Sequence, residues 1–146
     1  MSGARPAAVR FYLDADVLGL AHVISKLRSD ATYPGDPGAV IKRRLRPPCV
    51  ITSPAVKDPV WIPQVAQQGW LIITRDRRIQ EHRAEIQAVR DAGAKMVTLA
   101  SADAGSTWAQ LEVLMSQWRH IEALAAMDGP FIWTASRTVT RKIPLA

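Results

Sequence analysis

The segment Trp70-Leu71-Ile72-Ile73-Thr74 constrains the fold more than any other stretch of the chain. It is apolar without interruption, so as a strand it needs cover on both faces, which is the situation at the centre of a parallel sheet. Gly69 before it is a natural helix stop, and Arg75-Asp76 follows it. A second segment, Val9-Arg10-Phe11-Tyr12-Leu13, is short and rich in β-branched and aromatic residues, and it too ends in an acid, Asp14. Residues 31–33, 95–99, 131–135 and 139–143 read as further strands. Between them, helical spacing places Val17, Leu20, Ala21, Ile24 and Leu27 on one stripe of a helix over 17–28. A helix over 59–68 has Asp58 as its N-cap and Pro59 at its first position. Ile79, His82, Ile86 and Val89 define a third helix, closed by Asp91-Ala92-Gly93. A long helix over 107–127 carries Trp108, Leu111, Leu114, Met115, Trp118, Ile121 and Leu124 on its buried side. Strands alternating with helices predict a three-layer α/β domain, with a mostly parallel central sheet flanked by helices. The 146 residues suit one domain spanning 1–146. Residues 35–57 break the pattern. They hold Pro37, Pro47, Pro48, Pro54 and the basic run Lys42, Arg43, Arg44, Leu45, Arg46, and they read as an inserted irregular segment, either a functional loop or locally disordered.

Charge narrows the partner. Nineteen Lys and Arg face 13 Asp and Glu, a net charge of +6, with a pI of about 10.1. That balance favours a polyanion, either nucleic acid or an acidic protein. The lone Cys49 excludes an internal disulfide and a cysteine-based zinc finger. His22, His82 and His120 lack any zinc-binding spacing. No window reaches the roughly 18 apolar residues of a membrane span. The first ten residues have no signal-peptide core, so a cytoplasmic protein without membrane contact is expected.

The acids point to chemistry. Open α/β sheets bind ligands at the carboxyl ends of their strands, and Asp14 and Asp76 stand at two such ends. Asp58 opens the helix that feeds the second of these strands, and Asp16 lies two residues past Asp14. Carboxylates gathered at one sheet edge repel one another unless a cation sits among them, and all-oxygen donors suit Mg²⁺ or Mn²⁺. Acids and metal in a basic protein suggest phosphodiester hydrolysis. Each acid also has a plain structural explanation, Asp58 most of all as an N-cap.

Three pieces together, Phe11-Tyr12-Leu13-Asp14-Ala15-Asp16, Lys57-Asp58-Pro59-Val60-Trp61-Ile62 and Leu71-Ile72-Ile73-Thr74-Arg75-Asp76, resemble the PIN-like nuclease superfamily, and within it the branch of VapC-type toxins. The resemblance covers residues 9–100. It implies a Mg²⁺/Mn²⁺-dependent endoribonuclease silenced by a small antitoxin protein, with a homodimer as the family's habit. It gives Asp14, Asp58 and Asp76 as metal ligands; in the mechanism expected here Asp16 joins them as a second-tier ligand or base. The sequence departs from many PIN domains in lacking a further acid close behind Asp76. Arg77 and Arg78 stand there, and Glu81 and Glu85 come next. Glu85 is expected either in a solvated ion pair or helping to orient the site. This departure keeps open a PIN-like module that binds RNA or protein without cutting.

Leu13-Asp14-Ala15-Asp16-Val17 also fits the nucleophile motif of HAD-like phosphatases, with Asp14 attacking phosphorus and Asp16 as acid/base. No later strand supplies that family's Gly-Asp and second acid. Of the basic residues, Arg75, Arg77 and Arg78 flank Asp76 and are candidates to hold phosphates, with Lys42, Arg43 and Arg44 as further nucleic-acid contacts. Trp70, Trp108, Trp118 and Trp133 fall on apolar stripes or strands and are expected in the core. Trp61, three residues from Asp58, is the aromatic nearest to the acids in sequence.

Overall fold

A computed structural model describes residues 3–75, 83–100 and 102–145. The chain runs β1 (Arg5–Pro6), β2 (Phe11–Leu13), a 3-10 turn (Ala15–Val17), α1 (Leu18–Leu27), β3 (Ala31–Thr32), β4 (Ala39–Ile41) and β5 (Arg44–Arg46). It continues through α2 (Asp58–Gln68), β6 (Leu71–Arg75), α3 (Arg83–Ala92), β7 (Lys95–Leu99), α4 (Thr107–Ser116), α5 (Trp118–Ala125), β8 (Phe131–Ala135) and β9 (Thr140–Ile143). Among the described residues the main sheet has the order β3-β2-β6-β7-β8-β9, parallel except for β9, which pairs antiparallel with β8.

Strand alternation creates three layers. Phe11, Leu13, Leu71, Ile73, Val97, Leu99 and Phe131 face one side and pack with α1, α4 and α5 through Leu20, Ile24, Val113, Leu114, Ile121 and Leu124. Tyr12, Ile72, Met96 and Ile132 face the other side and pack with α2 and α3 through Ile62, Val65 and Val89. Because β6 is covered on both faces, an unbroken apolar run is its stable sequence. The fold class read from the sequence is the one observed.

The topology locates a crevice. From β2 the chain crosses to β3 on one side, and later enters β6 on the other. The carboxyl ends of β2 and β6 therefore flank a topological switch point, where open α/β sheets bind ligands. Each connecting helix runs back from the carboxyl edge to the amino edge. The C-terminal end of α1 thus lies at the edge opposite the crevice.

Two expectations need correction. Residues 35–57 are irregular only in part, since residues 47–57 hold no helix or strand but residues 39–46 do. β4 and β5 form a hairpin, and β1 adds to it in parallel, giving a second sheet of order β1-β5-β4. Its anchor is Arg46, the last cation of the basic run. Nε donates to Asp36 at 2.6 Å, and one terminal nitrogen donates to the Ser25 and Arg28 carbonyls at 2.9 and 3.2 Å. Both side chains of the pair are buried, and Asp36 also accepts from the Thr32 hydroxyl and the Gly38 amide. Gly38 adopts φ 85°, and a Cβ there would collide with the Arg46 carbonyl. The bonds to Ser25 and Arg28 fasten the hairpin to the C-terminal end of α1, at the amino edge of the main sheet.

The long helix over 107–127 is two helices. α4 is capped by Ser106, whose hydroxyl accepts from the Ala109 amide, and it ends at Gln117, where the backbone turns to φ −108°, ψ 10°. The Gln117 side chain donates to the Ser136 carbonyl, which ties the break to the end of β8. The apolar stripe was too wide to be buried whole. Val113 and Leu114 face the core, whereas Trp108 is 80% exposed and Met115 67%. Trp108 is therefore a surface residue and not a core one, while Trp70 is buried and Trp118 and Trp133 pack against the core.

Candidate active site

Asp14 follows β2 directly, and its amide donates to the Ile73 carbonyl at 3.0 Å, which sets it beside the end of β6. Two residues on, the 3-10 turn brings Asp16 across to the same strand end. Its carboxylate accepts from the Thr74 hydroxyl at 2.6 Å and from the Arg75 amide at 3.2 Å. Asp16 thus clamps the two strand ends together. From the opposite side comes α2. Lys57, not Asp58, is its N-cap, and Asp58 and Pro59 are its first helical residues. The Asp58 carboxylate, expected on a backbone amide, instead accepts from the Trp61 indole at 2.8 Å. Trp61 is 2% exposed and its ring packs, tilted by 34°, against Tyr12 with centroids 5.1 Å apart, so its ring is core and only its N–H serves the site.

These residues line one cleft of about 280 Å³: Asp14, Asp16, Asp58, Thr74, Arg75 and Glu85 among them. Burial, then the charges of Asp16, Asp58 and Glu85, push the Asp14 carboxyl up to about 7, against a lowering bond from the Ala15 amide. Beneath, the Tyr12 phenol is wholly buried, without a hydrogen-bond partner among the described residues. Burial and the neighbouring acids hold it far above the usual phenol range. Burial likewise raises the Cys49 thiol.

The sequence reading and the cleft coincide at Asp14, Asp16, Asp58 and Arg75. Asp76, Arg77, Arg78 and Glu81 lie outside the described residues. Glu85 stands in the cleft wall. Thr74 was not singled out from sequence. Its position as the first polar residue after the apolar run of β6, level with Asp14, was the available signal. Lys42, Arg43 and Arg44 sit on the hairpin at the other edge of the sheet.

Whether these residues suit a divalent cation is a question of donor chemistry. The donors are hard carboxylate oxygens, and the Asp14 carboxyl is raised by burial first and then by its acidic neighbours, whose charge a cation would offset. Among the described residues no group of three or more His, Cys, Asp or Glu side chains is arranged to hold an ion. The third acid of the expected set is Asp76.

Fold and cleft define a class: an open α/β domain with carboxylates crowded at its switch point beside an arginine. The model of the PIN like domain family matches residues 10–101, more than half of the chain, and the chain belongs to that nuclease-type family. No curated protein and no solved structure matches it.

Proposed function

We propose that the protein is a Mg²⁺/Mn²⁺-dependent endoribonuclease, and the toxin of a toxin–antitoxin pair. The observation that carries the nuclease reading is the Asp14 carboxyl, pushed up to about 7 in a cleft shared with Asp16, Asp58, Glu85 and Arg75. Asp14, Asp58 and Asp76 would hold the cation. When bound, it supplies Lewis-acid activation of water and neutralises charge on the scissile phosphate. The chain's own residues do the rest. Trp61 holds the Asp58 carboxylate in one orientation through its indole N–H. Thr74 and the Arg75 amide hold Asp16, so that the strand ends stay in register. The Arg75 guanidinium, with Arg77 and Arg78, binds non-bridging phosphate oxygens and offsets their charge as the bond breaks.

The test is cleavage of single-stranded RNA by pure protein. Asp14→Asn and Asp76→Asn abolish metal-dependent cleavage while the far-UV circular dichroism is kept; unchanged cleavage by either variant defeats the assignment. For the toxin role, induced expression in a bacterial cytoplasm arrests growth, Asp14→Asn does not, and a small acidic partner protein relieves the arrest. A dimer in solution belongs to the same reading and is read by light scattering.

The absence from the sequence of a further acid close behind Asp76, where Arg77 and Arg78 stand, keeps open one rival, a PIN-like module that binds without cutting. Calorimetry with Mn²⁺ separates them, since the rival takes up no metal. The phosphatase scheme fares less well, because Asp16, its acid/base, is already engaged by Thr74 and Arg75.

A further inference from the structure

We propose that the β4–β5 hairpin, together with Arg5, is a phosphate-binding arm that grips single-stranded RNA away from the cleft. The inference rests on the ribonuclease reading and adds a second contact surface to it. The turn of the hairpin is Lys42-Arg43, with φ 49° and 67°. Two consecutive left-handed residues in a two-residue loop define a type I′ turn, whose favoured sequence is Asn-Gly because side chains with a Cβ are strained there. This chain places two long cationic side chains in that conformation. Strain of this kind persists where the surroundings over-determine it, and it clusters at functional sites. The surroundings here are rigid: Arg46 is buried against Asp36 and the end of α1, and β1 pairs with β5 in register, Arg5 opposite Arg44.

The charge is of one sign. In sequence, residues 1–13 and 37–57, the stretches that contain the three strands of the small sheet, hold no Asp or Glu. Arg5, Lys42, Arg43 and Arg44 are all exposed, and none makes an ion pair among the described residues. Their neighbours at the same edge behave differently: Arg10 and Arg28 are paired with Asp30 and Glu122. Unpaired cations on a rigid ribbon make a backbone grip that is blind to sequence. Since the hairpin is fastened at the amino edge and the acids lie at the carboxyl edge, an RNA must pass along the flank of the domain to meet both. Short substrates reach only the cleft.

The decisive variant is Lys42→Asn/Arg43→Gly, which removes two charges and installs the preferred turn sequence, so folding is not at risk. Its melting temperature rises, by about 4 °C. Its affinity for a long oligouridylate falls, and the salt dependence of binding flattens by about 1.4 in log–log slope, at about 0.7 per phosphate contact. KM for the long RNA rises with kcat unchanged, and turnover of a trinucleotide is unaffected. Arg5→Gln/Arg44→Gln, which leaves the turn alone, weakens long-RNA binding without the thermal gain. Wild-type affinity and slope in both variants overturn the arm while leaving the nuclease reading intact. Binding that depends on these residues without any cleavage by the wild type keeps the arm and defeats the nuclease. Residue-dependent binding of polyglutamate with no effect on RNA assigns the hairpin to an acidic protein and overturns the proposal.

Discussion

Asp14 carries a heavy electrostatic load in the cleft. Its carboxyl titrates near 7 in the folded chain against 3.8 as an ordinary aspartate, because burial and three neighbouring acids oppose its charge. The sign follows directly. Between those two values the native state keeps a proton that the unfolded chain has lost, so stability falls as pH rises through this window and the deficit is complete above 7. The full cost is about 4 kcal/mol. In EDTA-treated protein, Asp14→Asn therefore raises the unfolding free energy at pH 8 and flattens its slope between pH 4 and 7. A slope unchanged by the substitution contradicts the crowding described here. Trp61 offers a second test at this scale. Trp61→Phe keeps an aromatic ring over Tyr12 and deletes the indole donor, so cleavage and Mn²⁺ affinity fall together by about 10–100-fold. A variant that lost activity only by unfolding would show native Mn²⁺ affinity in its folded fraction. Asp14 was legible from sequence because a hydrophobic strand ends on it. The Trp61–Asp58 bond was not, because an aspartate before Pro59 looks like a cap until its carboxylate is seen to point elsewhere.

Among the elements, those with a strong period were readable and those without one were not. β6 declares itself by an unbroken apolar run, and α1 by its stripe. The hairpin did not, for physical reasons. Its strands have three residues each, its turn lacks Asn-Gly, and its stability comes from one buried ion pair between residues ten apart. Arg46→Met removes the partner of a carboxylate that is 1% exposed, and costs about 3–5 kcal/mol by urea denaturation. Adding Asp36→Leu recovers part of the loss, since the buried charge is gone as well. A loss in the single variant of under 1 kcal/mol, the scale of an exposed pair, sinks this account of the anchor. The break at Gln117 was hidden for the opposite reason: helical periodicity continues across it, and only the tie to Ser136 reveals the change of direction.

At the scale of the whole molecule, a net charge of +6 conceals a division. Asp14, Asp16, Asp58 and Glu85 share a cleft at the carboxyl edge of the main sheet, with Arg75 on its wall. Arg5, Lys42, Arg43 and Arg44, without an ion pair among the described residues, stand on the small sheet at the amino edge. Sequence alone suggested a polyanion partner and suggested carboxylates, but placed the basic run on no particular side of them. Long-range topology decided that, through the crossover from β2 to β3 and back to β6. The central claim is that the crowded carboxylates at the switch point cut RNA with a divalent cation. The most direct test incubates a labelled single-stranded RNA with pure wild type and Asp14→Asn, with Mn²⁺ and with EDTA. The account predicts fragments only from wild type with Mn²⁺. No fragments from wild type under any condition, or equal cleavage by Asp14→Asn, contradicts it.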